Sequence, residues 1–530
     1  MRKWLIRACM LLAITVGGPG RFAALRAGES EGESAAEGAD SVVFPLREIS
    51  ILDSSLDQSL LRDLTGGARG ECREEPYEAI KAYPKLLSQK PIYGLVRLAP
   101  DPYQRESGTP LYFVVDESGE KPVEEEPAKE EPEEESSILD TLSSALFGKK
   151  AEKPVVEKLP KLKNTYDRLY VDLNGDLDLT NDPVVTPMKK TPTTLVRRYS
   201  GLRQAVVFKE ISVPLDFGEK LGNQPVRLVP RLEIQEHEGK EYPGVGFISA
   251  VARKGSIKVG KRSYQAVLAQ RYTITGRYDR TSTGLLLTSP GKPGWQDHWW
   301  GADELSAMRL VDGEYYTTST TPLGEKLIVK PHRGDLGILR IGPGGRDLDD
   351  LSIQGSLRTE DAGLAVGESK PGRSGSLEPV TECRLPVGDY IPVYVTVKFG
   401  DLQLGISENY HRDGKQMALD RESWVHGIKI RKDKPFVWDF STPPEVMFAS
   451  PAKDQTCKPG DEITVNAVLI DPKLTIMIRR LTDTSRKEDK TVELGDGRTT
   501  TYKQPVSLDP TVTITNAAGK QIAEGPMPFG

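Results

Sequence analysis

From Leu195 to Gly342 hydrophobic residues recur at every second position, in short runs separated by turn residues. Val206–Val213, Val226–Ile234, Val245–Val251, Ser256–Val259, Tyr264–Ala269, Gly284–Leu287, Glu314–Thr318, Lys326–Lys330 and Gly337–Ile341 each read as a strand. Arg253–Ser256 and Val311–Glu314 supply two of the turns between them. Many short strands at regular spacing predict a sandwich or barrel. Tyr93–Leu98 and Leu111–Val115 show the same habit further upstream. The clearest alternation comes later: Ile391, Val393, Val395, Val397 and Phe399 share one face, and Pro392, Tyr394, Thr396 and Lys398 the other. Ile463–Ile470 and Leu474–Ile478 extend it, and Pro510–Thr515 with Gln521–Glu524 closes the chain as a hairpin around Asn516–Gly519. Helical spacing is confined to short pieces. They are Asp53–Leu64, Pro76–Leu87 with Tyr77, Ile80 and Tyr83, and an amphipathic piece with Ile138, Leu142, Ala145 and Leu146.

The expected architecture is therefore mostly β and multi-domain: an antiparallel sandwich or barrel-like domain, then immunoglobulin-like sandwich modules, with few short helices. Residues 1–27 read as a signal peptide and 28–45 as a disordered, polar and acidic lead-in. The β-rich domain spans 46–342, and a low-complexity segment, first acidic and then lysine-rich, is inserted at 117–163. The Gly, Ser, Asp and Glu content of 343–383 predicts a linker or long loops, and 384–530 holds one or two sandwich modules.

Composition adds the compartment. Arg2, Lys3 and Arg7 precede an apolar core, Ala8–Val16, too short to span a bilayer, which predicts cleavage and export. No later run is long and apolar enough to be a span, so the expected location is secreted, periplasmic or cell envelope. Cys72, Cys383 and Cys457 follow the signal and permit at most one internal disulfide. With 50 glycines and 39 prolines the chain is rich in turns. A net charge of −6 over 530 residues argues against a nucleic-acid partner.

The densest candidate chemistry lies in Tyr166–Asp182, where Asp172, Asn174, Asp176 and Asp178 occupy alternate positions and Asp182 closes the run. Hard oxygen ligands so spaced are how a short loop wraps calcium. An alternative stays open: Asn174-Gly175 is a favoured hairpin turn, with Leu169, Val171 and Leu173 facing Leu177 and Leu179 across it. A second candidate is Trp295–Trp300, where Trp295, Trp299 and Trp300 stand beside Asp297 and His298. Exposed, such rings could stack on sugars; buried, they anchor a loop on the core. The five histidines lie at 237, 298, 332, 411 and 426, without metal-ligand spacing. No nucleophile elbow and no phosphate-cradling glycine loop is present in the sequence.

Several phrases carry a resemblance: Tyr166–Asp182, Trp299–Met308, Asn409–Gly414, Lys432–Phe440, Glu445–Pro451 and Glu524–Gly530. Together they resemble large secreted proteins typical of planctomycete bacteria, a resemblance that implies no assigned activity. Locally, 172–182 is similar to the calcium loops of dockerins, EF-hands and thrombospondin type 3 repeats. It departs from them in placing Leu177 where those loops carry glycine, and in ending on Asp182-Pro183 without the bidentate Glu. Two functions are compatible with these features. One is an exported, non-catalytic β-rich protein that binds or scaffolds, with an envelope protein or polysaccharide as partner and calcium as a stabilising ion. The other is a secreted, carboxylate-dependent hydrolase or binder of complex polysaccharide.

Overall fold

The computed structural model describes most of the chain between Ser41 and Met527. Outside the described residues lie 1–40, 54–66, 99–107, 120–164, 190–194, 196–201, 289–303, 343–349, 370–376, 417–426, 457–463, 494–498 and breaks of one to four residues. Every regular element described is a β-strand. The strands read between Leu195 and Gly342 all form, with two divisions: Val206–Val213 breaks into Leu202–Val207 and Ile211–Asp216, and Val245–Val251 breaks at Ala250 between Lys240–Ser249 and Val251–Val259. Arg253–Ser256 is not a turn but lies within Val251–Val259, paired along its length with Arg262–Gln270.

Four sheets lie face against face in the first part of the chain. The first, in order, is Glu71–Arg73, Ile92–Leu98, Thr109–Asp116 and Arg168–Val171. The second holds Gly67–Arg69, Lys240–Ser249, Asn223–His237 and Leu202–Val207, with Ile211–Asp216 also on the long strand. The third comprises Thr283–Thr288, Arg262–Gln270, Val251–Val259 and Arg47–Ser50, and the fourth Val42–Pro45, Lys326–Pro331, Glu314–Thr320 and Arg309–Val311.

Successive residues of a strand face opposite ways, so a strand buried on both faces must be apolar at consecutive positions. Ala266–Ala269 shows this. Ala266 and Leu268 join a core with Leu327 and Val329 of the fourth sheet. Val267 and Ala269 join another with Val207, Val229 and Ile248 of the second. The second sheet's other face, including Leu228, Leu232 and Phe247, meets Val96, Phe113 and Leu169 of the first. Single extended runs stitch the layers together. Gly67–Arg69 pairs in the second sheet and Glu71–Arg73 in the first, with the Gly70 N–H donating to Val245 O at 2.8 Å between them.

The later part is also β. One sheet runs Gly363–Val366, Leu351–Arg358, Gly388–Phe399, Leu402–Ser407, Ile476–Glu493, Asn466–Asp471 and Glu445–Ser450. A three-stranded sheet, Glu382–Pro386, Leu336–Gly342 and Phe436–Asp439, shares its core, which includes Leu339, Ile353, Val395, Val397, Ile406 and Trp438. Tyr315 reaches that core from the fourth sheet and donates to Arg384 O at 2.9 Å.

Four expectations need correction. The lead-in read over 28–45 does not extend through its last residues, because Val42–Pro45 pairs as a strand with Lys326–Pro331. The segment 343–383 is not a linker: Leu351–Arg358 is the direct neighbour of Gly388–Phe399, and Leu336–Gly342 belongs with the later sheets. Burial of Ile353, Leu357, Leu364 and Val366 outweighs the loop-like composition around them. Residues 76–87 form no helix, because their backbone bonds to the 172–182 loop and Pro84 interrupts helical bonding. Val393 is only half-buried: the register slips between Ser356 and Leu357, and Val393 is the extra residue of the resulting bulge. Asp53–Leu64 falls almost wholly outside the described residues, as does the Ile138–Leu146 piece.

Candidate functional site

The acidic run leaves the end of Arg168–Val171 and folds back over the outer face of the first sheet. Alternate side chains cap the backbone two residues on. Asn174 Oδ1 accepts from Asp176 N at 2.9 Å, Asp176 Oδ1 from Asp178 N at 2.8 Å, and Asp178 Oδ1 from Thr180 N at 2.9 Å. Asn and Asp favour such local bonds over regular structure, which explains a compact loop here. No hairpin forms, because Leu169 and Val171 enter the core between the first and second sheets while Leu177 and Leu179 cover the sheet's opposite face.

Leu177 stands at φ 67°, in the left-handed region where calcium loops carry glycine. Two hydrogen bonds hold it there: its N–H donates to Asp172 Oδ2 at 3.3 Å, and its carbonyl accepts from Lys81 N at 2.8 Å. This turn sends Leu177 and Leu179 inward and leaves Asp176 exposed and Asp178 half-buried.

Two carboxylates carry unsatisfied oxygens. Asp172 is 4% exposed, and its Oδ1 is buried with no partner; Asp182 Oδ2 is likewise buried and unpartnered, while its Oδ1 accepts from Leu173 N at 3.1 Å. Burial pushes the Asp172 carboxyl above its usual range against the pull of the Leu177 and Gly175 N–H groups. Asp182 is raised by burial and then by the charges of Asp172, Asp176 and Asp178. Asp176 is held low by the Asn181 amide, which donates to Oδ2 at 2.7 Å, and by the Asp178 N–H. Among the described residues no three or more His, Cys, Asp or Glu side chains are grouped to hold a metal ion. The loop's own N–H groups occupy most of the oxygens that the spacing would offer a cation.

Trp295, Trp299 and Trp300 lie outside the described residues. A buried ionic cluster just beyond them went unread in the sequence. Arg358 Nη1 meets Glu304 Oε1 at 3.2 Å, and buried Arg309 donates to the carbonyls of Ala307 and Glu304, both at 2.9 Å. The cluster ties Leu351–Arg358 to the turn after Glu304, where the Met308 N–H also donates to Gly363 O at 2.8 Å. Only the acid and bases within apolar surroundings hinted at it, and nothing in their spacing brings Glu304 to Arg358.

The fold and loop define an all-β protein of several antiparallel sheets with an acidic loop docked on its first sheet. No family model matches the chain, and neither a curated protein nor a solved structure matches it. No helix among the described residues is long and apolar enough to cross a membrane.

Proposed function

We propose that this chain is an exported, non-catalytic protein of the cell envelope or extracellular space that binds or scaffolds, and that calcium at the 172–182 loop stabilises it. The observation that carries the calcium reading is the pair of buried, unpartnered oxygens, Asp172 Oδ1 and Asp182 Oδ2, in a loop crowded with carboxylates. A buried acceptor without a donor costs free energy, of order 1–3 kcal/mol, and a cation would remove that cost at both. Asp172, Asp176, Asp178 and Asp182 would supply the charge, with Asn174 a neutral oxygen. Stacked sheets joined by turns favour presentation of loops on a stiff frame, an arrangement suited to binding or scaffolding.

Calcium titration followed by thermal melting of the full chain tests this. Melting should rise with a midpoint of about 10⁻⁴–10⁻³ M, the range of extracellular modules. Asp172→Asn and Asp182→Asn should each abolish the rise. An unchanged melting curve at millimolar calcium would overturn the calcium reading.

A further inference from the structure

The cover over the outer face of the first sheet has two parts. One is the acidic loop, with Leu177 and Leu179; the other is residues 76–88, which bring Tyr77, Ile80 and Tyr83. Beneath them lie Val114 and Tyr170, both buried, with Tyr93 and Tyr112 of the sheet beside them. Residues 76–88 contain only an isolated bridge and turns, so their order depends on what they are tied to.

Much of that tie is the loop. Lys81 N donates to Leu177 O at 2.8 Å, Leu179 N to Ala82 O at 3.0 Å, and Ala82 bridges Asp178 in parallel. Lys81 Nζ donates to Asp176 O at 2.8 Å. These bonds interleave with the candidate ligands: Asp176, Leu177, Asp178 and Leu179 alternately face out toward the carboxylate cluster and in toward the strip. The left-handed Leu177 links both, since its N–H holds Asp172 and its carbonyl holds Lys81. At the far end the strip is fixed independently, with Leu87 and Ser88 N–H groups on the Asp116 carboxylate at 3.0 Å and 2.7 Å.

We propose that the 172–182 loop is a cation-operated clasp: calcium bound there fixes the backbone of Asp176–Leu179 and thereby holds residues 76–83 over the Val114–Tyr170 face. The inference rests on the calcium reading above and adds what the site controls. The acidic cluster does not stand alone in its favour, because Asp172, more than nine-tenths buried, directs one oxygen to Leu177 N–H and leaves the other without a donor. Removal of the ion leaves these buried carboxylates to repel, which loosens Asp176–Leu179 and frees the strip's near end while Leu87–Ser88 stays anchored.

Coupling of this kind is reciprocal: if calcium tightens the strip, loosening the strip must weaken calcium. The test uses the full chain. Hydrogen exchange at Lys81 and Leu179 should slow roughly tenfold on adding millimolar calcium, within the usual span of coupled sites. Magnesium at equal concentration is the control. Ile80→Ala, which changes no charge and touches no candidate ligand, should raise the calcium midpoint several-fold. Tyr83→Phe, which deletes the hydroxyl that accepts from Tyr77 N at 2.8 Å and donates to Tyr77 O at 3.4 Å, serves if Ile80→Ala fails to fold. Calcium binding by calorimetry with unchanged exchange at Lys81 and Leu179, or with an unmoved midpoint in the variants, overturns the clasp and leaves the calcium reading standing. Absence of any calcium heat overturns both.

Discussion

The ring of Phe113 occupies the space that a side chain on Gly94 would need. The two residues are register partners on neighbouring strands of the first sheet, and a Cβ on Gly94 would overlap the Phe113 ring. Phe113 also packs on Phe247 of the second sheet, with ring centroids 5.4 Å apart. It cannot swing toward that sheet without displacing a second ring, and Gly70 also closes on the ring's tip, where a Cβ would stand 2.9 Å from Cε1 and Cζ. Overpacking a filled core costs about 1–3 kcal/mol. Gly94→Ala should fall at or above the top of that range in denaturant unfolding, whereas Ala on Gly175, where nothing lies within 4 Å, should cost only its left-handed strain. Equal losses at both positions would contradict this packing.

Val395 and Thr396 offer a sharper contrast in the later sheet. Val395 is 0% exposed in the shared core, and Thr396, its sequence neighbour, is half-buried on the opposite face. A lone carboxylate at Val395 would lose hydration with no partner, a cost of several kcal/mol. Val395→Asp should abolish cooperative unfolding of this part, while Thr396→Asp should be tolerated within about 1 kcal/mol. Circular dichroism and urea melts check both.

Alternation made the strands legible, and it failed where two faces or two segments compete. Ile391, Val395 and Val397 are buried as their spacing predicts, but the bulge at Val393 shifts the register and leaves that residue half-exposed. Leu351, Ile353 and Leu357 alternate too, yet intervening Ser, Gln and Gly disguised a strand as a linker. Tyr77, Ile80 and Tyr83 carry a helical period but adopt none, since the partner of their backbone is a loop nearly a hundred residues away. At the candidate site, the carboxylate spacing was legible, as was the odd leucine. Which oxygens end up buried without donors was not, because that depends on the depth to which Asp172 and Asp182 sink.

High pH should unfold this protein through its buried thiol and phenol groups. Burial pushes the Cys383 thiol up to about 12 from its ordinary 9.0, and burial together with nearby carboxylates pushes Tyr166 up to about 12 from 10.0. Tyr278, Tyr315 and Tyr390 are raised by burial as well. The native state therefore keeps protons that the unfolded chain releases, so stability falls as pH rises through this range. Their contribution is whole below pH 9 and is lost progressively between about 9 and 12. Phenolate absorbance near these pH values should rise together with loss of structure. Independent titration of the buried tyrosines before unfolding would contradict this.

The last prediction concerns the long interruption of the first sheet. Thr109–Asp116 and Arg168–Val171 are antiparallel neighbours in direct register, with Asp116 opposite Arg168. Around their ends the chain is closed by short bonds: Asp167 N donates to Asp116 O at 3.2 Å, Ser118 N to Asp167 Oδ1 at 2.6 Å, and Thr165 Oγ1 to Glu117 Oε1 at 2.7 Å. Gly119 sits at φ 76°, already in the conformation that a tight return requires. Residues 120–164, outside the described residues, can therefore be removed and Gly119 joined to Thr165 through a short turn without moving either strand. Shortening a loop this much also lowers the entropy of closing it, by roughly 0.6 kcal/mol per halving. The deletion variant should keep its β-sheet circular dichroism, unfold cooperatively, and match or slightly exceed the parent in stability. Insoluble protein would mean that Leu142, Leu146 and Phe147 pack on the sheet, and would overturn the reading of that segment as an insertion.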